Sequence, residues 1–323
     1  LCFYTLMSPG DEIVAARKLY GGSINQLTHG IKKFGWNVRW ADARDPESFK
    51  AAITDKTRLV FLEALANPGG IVVDLEPIAA AAHAAGVPLI VDNTFASPYL
   101  IQPIKWGADI VVHSATKFLG GHGNSIGGVI VDGGTFNWGS GKFPMLSEPN
   151  PSYHGMKMWE TFGDMAFAIT TRVLGLRDLG PALAPMNAFL LLTGAETLPL
   201  RMQKHCDNAL AVAQWLKAND KVAWVNYAGL PGNPSYTLHQ KYCPKGAGSV
   251  FTFGLKGGYE AGVKLVNGVK LFSHLANLGD TRSLIIHPAS TTHRQLPDED
   301  RAKAGASNDV VRLSVGIEDV ADI

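Results

Sequence analysis

The chain has 323 residues, 46% of them hydrophobic and 18% charged, which is length for about two domains and a large buried core. Its 29 Lys and Arg against 28 Asp and Glu leave a net charge of +1, so there is no electrostatic case for nucleic acid as a partner. Cys2, Cys206 and Cys243 are odd in number and fit no CxxC spacing. That argues against a disulfide or zinc framework and for a reducing, cytoplasmic compartment. The most apolar run, Ile78 to Val91, is broken by His83, Gly86 and Pro88 and is no membrane span, and no signal-peptide pattern opens the chain.

In chain order, Asp11 to Ala16 reads as a strand, Ser23 to Phe34 as a helix, and Trp36 to Ala41 as a strand with period-two alternation. Asp45-Pro46-Glu47 opens a helix, with an N-cap and then Pro at its first position. Thr57 to Leu62 is a strand. Asp74 opens a helix that runs to Ala85 and is closed by Gly86. Strands follow at Leu89 to Asp92, Asp109 to His113 and Gly127 to Val131. Alternating strands and helices to about Val131 predict an α/β fold with a mainly parallel, doubly wound sheet. Gly133 to Gly155 is rich in Gly, Pro and Ser and reads as a long loop covering a site. Met156 to Leu200 reads as helical, punctuated by Pro181, Pro185 and Pro199. A helix from Leu200 to Ala218 leads into a second, smaller α+β domain. Strands at Ser249 to Leu255, Ser283 to Ile286 and Val310 to Val315 and a helix at Gly258 to Leu271 belong to it. The expected domains are therefore residues 1–199 and 200–323.

Chemistry gathers where three strands end. Ser114-Ala115-Thr116-Lys117 stands after an apolar run and before Gly120, Gly121 and Gly123. A desolvated amine there can hold an aldehyde cofactor as a Schiff base. The hydroxyls of Ser114 and Thr116 can donate to a phosphate. A nucleotide phosphate loop places its glycines before the lysine, the reverse of this order, and an exposed loop lysine is the plainer alternative. Asp92 closes another apolar run, where a carboxylate is costly unless a cation pairs with it; the pyridinium nitrogen of pyridoxal phosphate is such a cation. Asn67 follows the third strand, in a turn with Pro68, Gly69 and Gly70, and could hydrogen-bond the ring's phenolic oxygen. Singly, Asp92 reads as well as a helix cap and Asn67 as a turn residue. The three together are hard to explain as accidents. His113, His122, His287 and His293 show no metal-ligand spacing on one helix, so no metal is expected and they read as structural or loop histidines.

These segments resemble the Cys/Met-metabolism family of pyridoxal-phosphate enzymes, which share the aspartate-aminotransferase fold type. Leu19-Tyr20-Gly21-Gly22, Ala66-Asn67-Pro68-Gly69-Gly70, Val91-Asp92-Asn93-Thr94 and Ser114-Ala115-Thr116-Lys117 carry the likeness. So do Glu148 to Gly155, Ser283 to His293 and Val311 to Glu318. The resemblance implies pyridoxal phosphate as cofactor and Lys117 as its lysine and the proton shuttle at the substrate's Cα. It implies that Tyr20 stacks on the ring and assists the leaving group, and that Arg312 grips the substrate carboxylate, with Asn277 and Ser283 bordering that site. The implied reaction is γ-replacement on an O-acylated homoserine by sulfide or a thiol. A synthase making cystathionine, a γ-lyase, and a cofactor-free relic are the competing expectations. A homo-oligomer, a dimer of active dimers, is also implied.

The resemblance further implies a segment before Leu1 with a phosphate-binding glycine turn, and an arm reaching the neighbouring subunit. Neither is in this sequence, whose opening run Leu1 to Met7 reads as the end of a core helix and whose Asp319 to Ile323 reads as part of a final helix. If those segments are absent, weak cofactor binding is expected.

Overall fold

The computed structural model describes residues 1–323 except Pro68, Leu296 and Ala304, and leaves the side chains of Asp300, Ala302 and Lys303 undescribed. The first sheet holds β1 (Glu12–Ala16), β2 (Asn37–Ala41), β3 (Thr57–Glu63), β4 (Leu89–Asp92), β5 (Ile110–Ser114) and β6 (Gly128–Asp132), in the order β2-β1-β3-β4-β5-β6. The first five run parallel. Buried runs such as Ile13 to Ala16 and Leu59 to Leu62 are what a sheet covered on both faces requires. Strand order reverses between β1 and β3, and in such sheets the crevice for a ligand opens beyond the strands' C-terminal ends.

β6 departs from the expected parallel pattern. It pairs antiparallel with β5, Ser114 opposite Gly128 and Ile110 opposite Asp132. Residues 115–127 form turns without a helix, and a parallel return needs a crossover, usually helical.

The helix α1 (Leu75–Ala84) buries Leu75, Ile78, Ala79 and Ala82, and ends as Gly86 turns left-handed at φ +66°. Asp45 caps the helix Pro46–Ala52 by accepting from Glu47 N–H at 3.1 Å. The region expected as helical from Met156 begins as a set of short helical pieces, which Gly180 ends at φ +80° just before Pro181. Beyond it, α2 (Pro185–Glu196) and α3 (Leu198–Ala218) each begin with proline in the first turn, where the missing N–H costs nothing.

The C-terminal sheet holds β7 (Val222–Asn226), β8 (Val250–Leu255), β9 (Ser273–His274), β10 (Leu284–Ile286) and β11 (Val310–Ser314), in the order β9-β10-β11-β8-β7. It is antiparallel but for β9 and β10. The helix α4 (Gly258–Gly268) packs against it. Residues 319–323 form a turn, not a helix, with Asp322 N–H donating to Asp319 O at 3.0 Å.

The stretch from Gly133 does not cover the C-terminal strand ends. Gly133 N–H donates to Asp109 O at 2.8 Å, at the opposite end of the sheet. Its aromatic residues form a small core there: Trp138 stacks on Phe167 at 5.2 Å and meets Phe143 edge-on. Lys142 Nζ donates to Ala85 O beyond α1. Apolar side chains too large to leave in water decided its position, which the Gly and Pro content concealed.

Candidate active site

Four strands of the first sheet deliver their polar residues to one rim. In the parallel register Glu63 at the end of β3 lies beside Asp92 at the end of β4. Thr94 joins β4 to β5. Its hydroxyl donates to Asp92 Oδ1 at 2.5 Å and accepts Ser114 N–H at 2.8 Å, while its own N–H donates to Oδ1 at 2.9 Å. Asp92 Oδ2 has no partner among the described residues, and no Lys, Arg or His pairs with either Asp92 or Glu63 there. Burial raises both carboxyls, Glu63 to about 8, with the nearby Asp92 charge as its second cause. A pair of desolvated acids with no protein cation fits a cationic ring nitrogen from outside the chain.

Lys117 sits in the turn after β5. Its N–H donates to Ser114 O at 3.2 Å, and its carbonyl accepts Gly121 N–H at 2.7 Å, closing the turn with Gly121 left-handed at φ +73°. Its Nζ donates to Asn277 Oδ1. Asn277 comes that close because Gly279 presses on the Lys117–Phe118 backbone, where a Cβ would fall 2.7 Å from Phe118 N. Burial, then the nearby Arg312 charge, lowers the Lys117 amine. That favours the neutral form a nucleophile or base needs.

Arg312 projects from β11 and donates through Nη2 to Asn277 O at 3.4 Å. No carboxylate pairs with it among the described residues. Asn277 therefore meets both cations, Lys117 at its side-chain oxygen and Arg312 at its main-chain carbonyl, and two cations with no paired carboxylate suit an anion. His293 lies near enough to Arg312 for that charge to lower its pKa, after burial. Tyr20 is 60% exposed at the start of the helix Gly21–Asn25, with its ring over Gly22, where any Cβ would collide with it.

The hydroxyl of Ser114 and the side-chain amide of Asn67 have no hydrogen-bond partner among the described residues, so both are available to a ligand. The turn after Asn67 runs through Gly69 at φ +124° and Gly70 at φ +76°; Pro68 lies outside the described residues. Thr116 is committed differently: its hydroxyl accepts Gly127 N–H at 3.1 Å and donates to Gly127 O at 3.3 Å. Ser283 does not face the rim. It is fully buried, its hydroxyl donates to Glu318 Oε2 at 2.9 Å and accepts Gly316 N–H at 2.8 Å, and so it braces the strand that carries Arg312. Spacing cannot show which way a strand residue faces, and Glu318, its partner, is far off in sequence.

Three residues of the site escaped the sequence reading: Glu63, Thr94 and Arg201. Glu63 ends an apolar run just as Asp92 does, and that signal was legible. Arg201 is buried and donates to Phe118 O at 2.8 Å, Leu119 O at 3.2 Å and Gly194 O at 2.6 Å, holding the Lys117 turn from α3. Among the described residues no group of His, Cys, Asp and Glu could hold a metal ion. A cleft of about 600 Å³ between α3, α4 and the C-terminal sheet is lined by residues such as Trp215, Phe253, Phe272 and Leu313 and by no titratable side chain, so the candidate residues are not there.

The whole chain, residues 1–323, matches the family described as Cys/Met metabolism PLP-dependent enzyme. It is 51% identical over 332 residues to O-acetyl-L-homoserine sulfhydrylase of Leptospira meyeri, covering 100% of this chain and 75% of that protein. It is 49% identical over 322 residues to homocysteine synthase of Schizosaccharomyces pombe, covering 99% and 75%. Among solved structures, an O-acetylhomoserine (thiol)-lyase of Campylobacter jejuni containing N'-pyridoxyl-lysine-5'-monophosphate superposes with a TM-score of 0.95 at 39% identity, covering 99% of this chain and 77% of that one. Unpaired buried acids, a lysine of lowered pKa and an arginine without a carboxylate are what such a cofactor and an amino-acid substrate would complement, and the chain belongs to the Cys/Met metabolism PLP-dependent enzyme family.

Proposed function

We propose that this chain replaces the γ-acetoxy group of O-acetylhomoserine by sulfide or a thiol, giving homocysteine or methionine and acetate, with pyridoxal phosphate as cofactor. The observation that carries the reading is the meeting of Lys117 and Arg312 at Asn277, with Lys117 after the strand that pairs with the one ending in Asp92, in a chain 51% identical to a sulfhydrylase. The cofactor, when bound, supplies an electron sink that makes the substrate's Cα–H acidic. Lys117 would hold its aldehyde, Asp92 Oδ2 its ring nitrogen, Asn67 its phenolic oxygen, and Ser114, with Thr116 behind it, its phosphate. Tyr20 would lie on the ring face.

Arg312 would take the substrate carboxylate in a two-pronged grip, and Asn277 would set its distance from Lys117. Lys117 Nζ takes the proton from Cα and returns it. The Tyr20 hydroxyl stands ready for the departing acetate oxygen, and the sulfur bonds to Cγ. O-acetylhomoserine with sulfide, O-acetylhomoserine with cysteine, and methionine alone separate the possible reactions. Homocysteine from the first supports this reading; cystathionine from the second indicates a synthase, and ammonia from the third a lyase.

A homo-oligomer, a dimer of active dimers, belongs to the same reading. It is supported by Met186, Phe189 and Leu192, exposed along α2, and by Ile126, beside which Asn187 Nδ2 donates to the Ile126 carbonyl at 3.4 Å. A reducing, cytoplasmic setting is supported by three cysteines that are all free and buried.

A further inference from the structure

Glu63 is a buried acid, 4% exposed, whose only hydrogen-bond partners among the described residues are two backbone amides far apart in sequence. Its Oε1 accepts Tyr20 N–H at 2.6 Å and its Oε2 accepts Asn67 N–H at 2.9 Å. One carboxylate therefore ties the loop after β1 to the turn after β3, across the point where strand order reverses. Leaving an acid in so dry a place costs free energy, and an apolar residue would fill the space as well. What an apolar residue could not do is accept two amides at once.

We propose that Glu63 is a positioning residue, which fixes the separation of Tyr20 and Asn67 and so the slot in which the cofactor ring would lie. The proposal rests on the reading of the site given above. Tyr20 would meet the ring's face and Asn67 its edge, so a shift of either loop changes how the ring is held. Glu63 also stands beside Asp92, and only one of two adjacent buried acids readily keeps its charge. Burial raises both carboxyls, and the two amides that Glu63 binds pull its own value back toward the charged form.

This makes a pH signature. In the folded chain Glu63 binds its proton up to about pH 8, whereas the unfolded chain releases it near the ordinary value of 4.5. The folded state thus binds more protons between those values, and its stability falls as pH rises through that window. Glu63→Gln removes the titration and flattens the slope.

Above about pH 8, where Glu63 is ionised, Glu63→Gln also replaces one of its two accepting oxygens with an NH2 group. Hydrogen exchange at Tyr20 and Asn67 in the chain without cofactor should accelerate about tenfold, in line with the loss of a hydrogen bond. kcat/KM should fall about 10- to 100-fold, as when other orienting partners are removed. Borohydride should still fix a pyridoxyl group on Lys117. Unchanged exchange at both amides overturns the proposal, as does lost activity with exchange unchanged, which would give Glu63 a direct chemical role. Should Glu63→Gln not fold, the unaltered chain decides: fast exchange at Tyr20 and Asn67 overturns the proposal, and slow exchange at both supports it. No label on Lys117 in the unaltered chain refutes the cofactor reading instead, and exchange still judges the tie.

Discussion

Two cations, Lys117 and Arg312, stand close enough that the Arg312 charge lowers the Lys117 amine, and both donate to Asn277, Lys117 to its side-chain oxygen and Arg312 to its main-chain carbonyl. Arg312→Lys keeps the charge and loses the planar fork. Hydrogen bonds to a charged group are worth about 1.5–3 kcal/mol, so KM for the amino-acid substrate should rise about ten- to a hundredfold. The γ-replacement kcat should change far less, as steady-state kinetics will show. Asp92, Lys117 and Asn67 could be chosen from the sequence because each follows an apolar run and carries a distinct chemistry. Ser283 could not be placed, since its hydroxyl is taken by Glu318 across the chain, a contact no local pattern records. Thr116 is half-legible: its motif is evident, but its bond to Gly127 arises only because β6 returns antiparallel.

At the scale of elements, the Lys117 turn is held from behind by α2 and α3. Arg201 donates to the turn's carbonyls, and Gly194 of α2 lies directly on Gly120. Any Cβ at Gly194 would overlap the Gly120 carbonyl. Gly194→Ala should therefore destabilise the fold by about 1–3 kcal/mol, as overpacking does, measured by urea unfolding. It should also slow the reaction more than a similarly destabilising change far from Lys117. The strands and capped helices were legible because apolar periodicity, Asp45-Pro46 and Gly86 act locally. The direction of β6 and the packing of Trp138 and Phe143 were not, since each depends on what lies across the sheet.

Over the whole molecule, the rim carrying the candidate residues and the exposed apolar side chains of α2 share one neighbourhood, joined by the stretch from Lys117 to β6. Met186, Phe189 and Leu192 are more than half exposed, an arrangement a second copy of the chain would relieve. Phe189→Glu should shift sedimentation toward a smaller species, with the far-ultraviolet CD spectrum retained. A mass unchanged by that substitution would place the contact elsewhere. The central claim is that Lys117 is the residue that holds pyridoxal phosphate. The most direct measurement is borohydride reduction of the protein with added pyridoxal phosphate, followed by peptide mass mapping. A pyridoxyl group on Lys117, lost in Lys117→Ala, is the expected result; a label on a different lysine, or none with cofactor in excess, would contradict it.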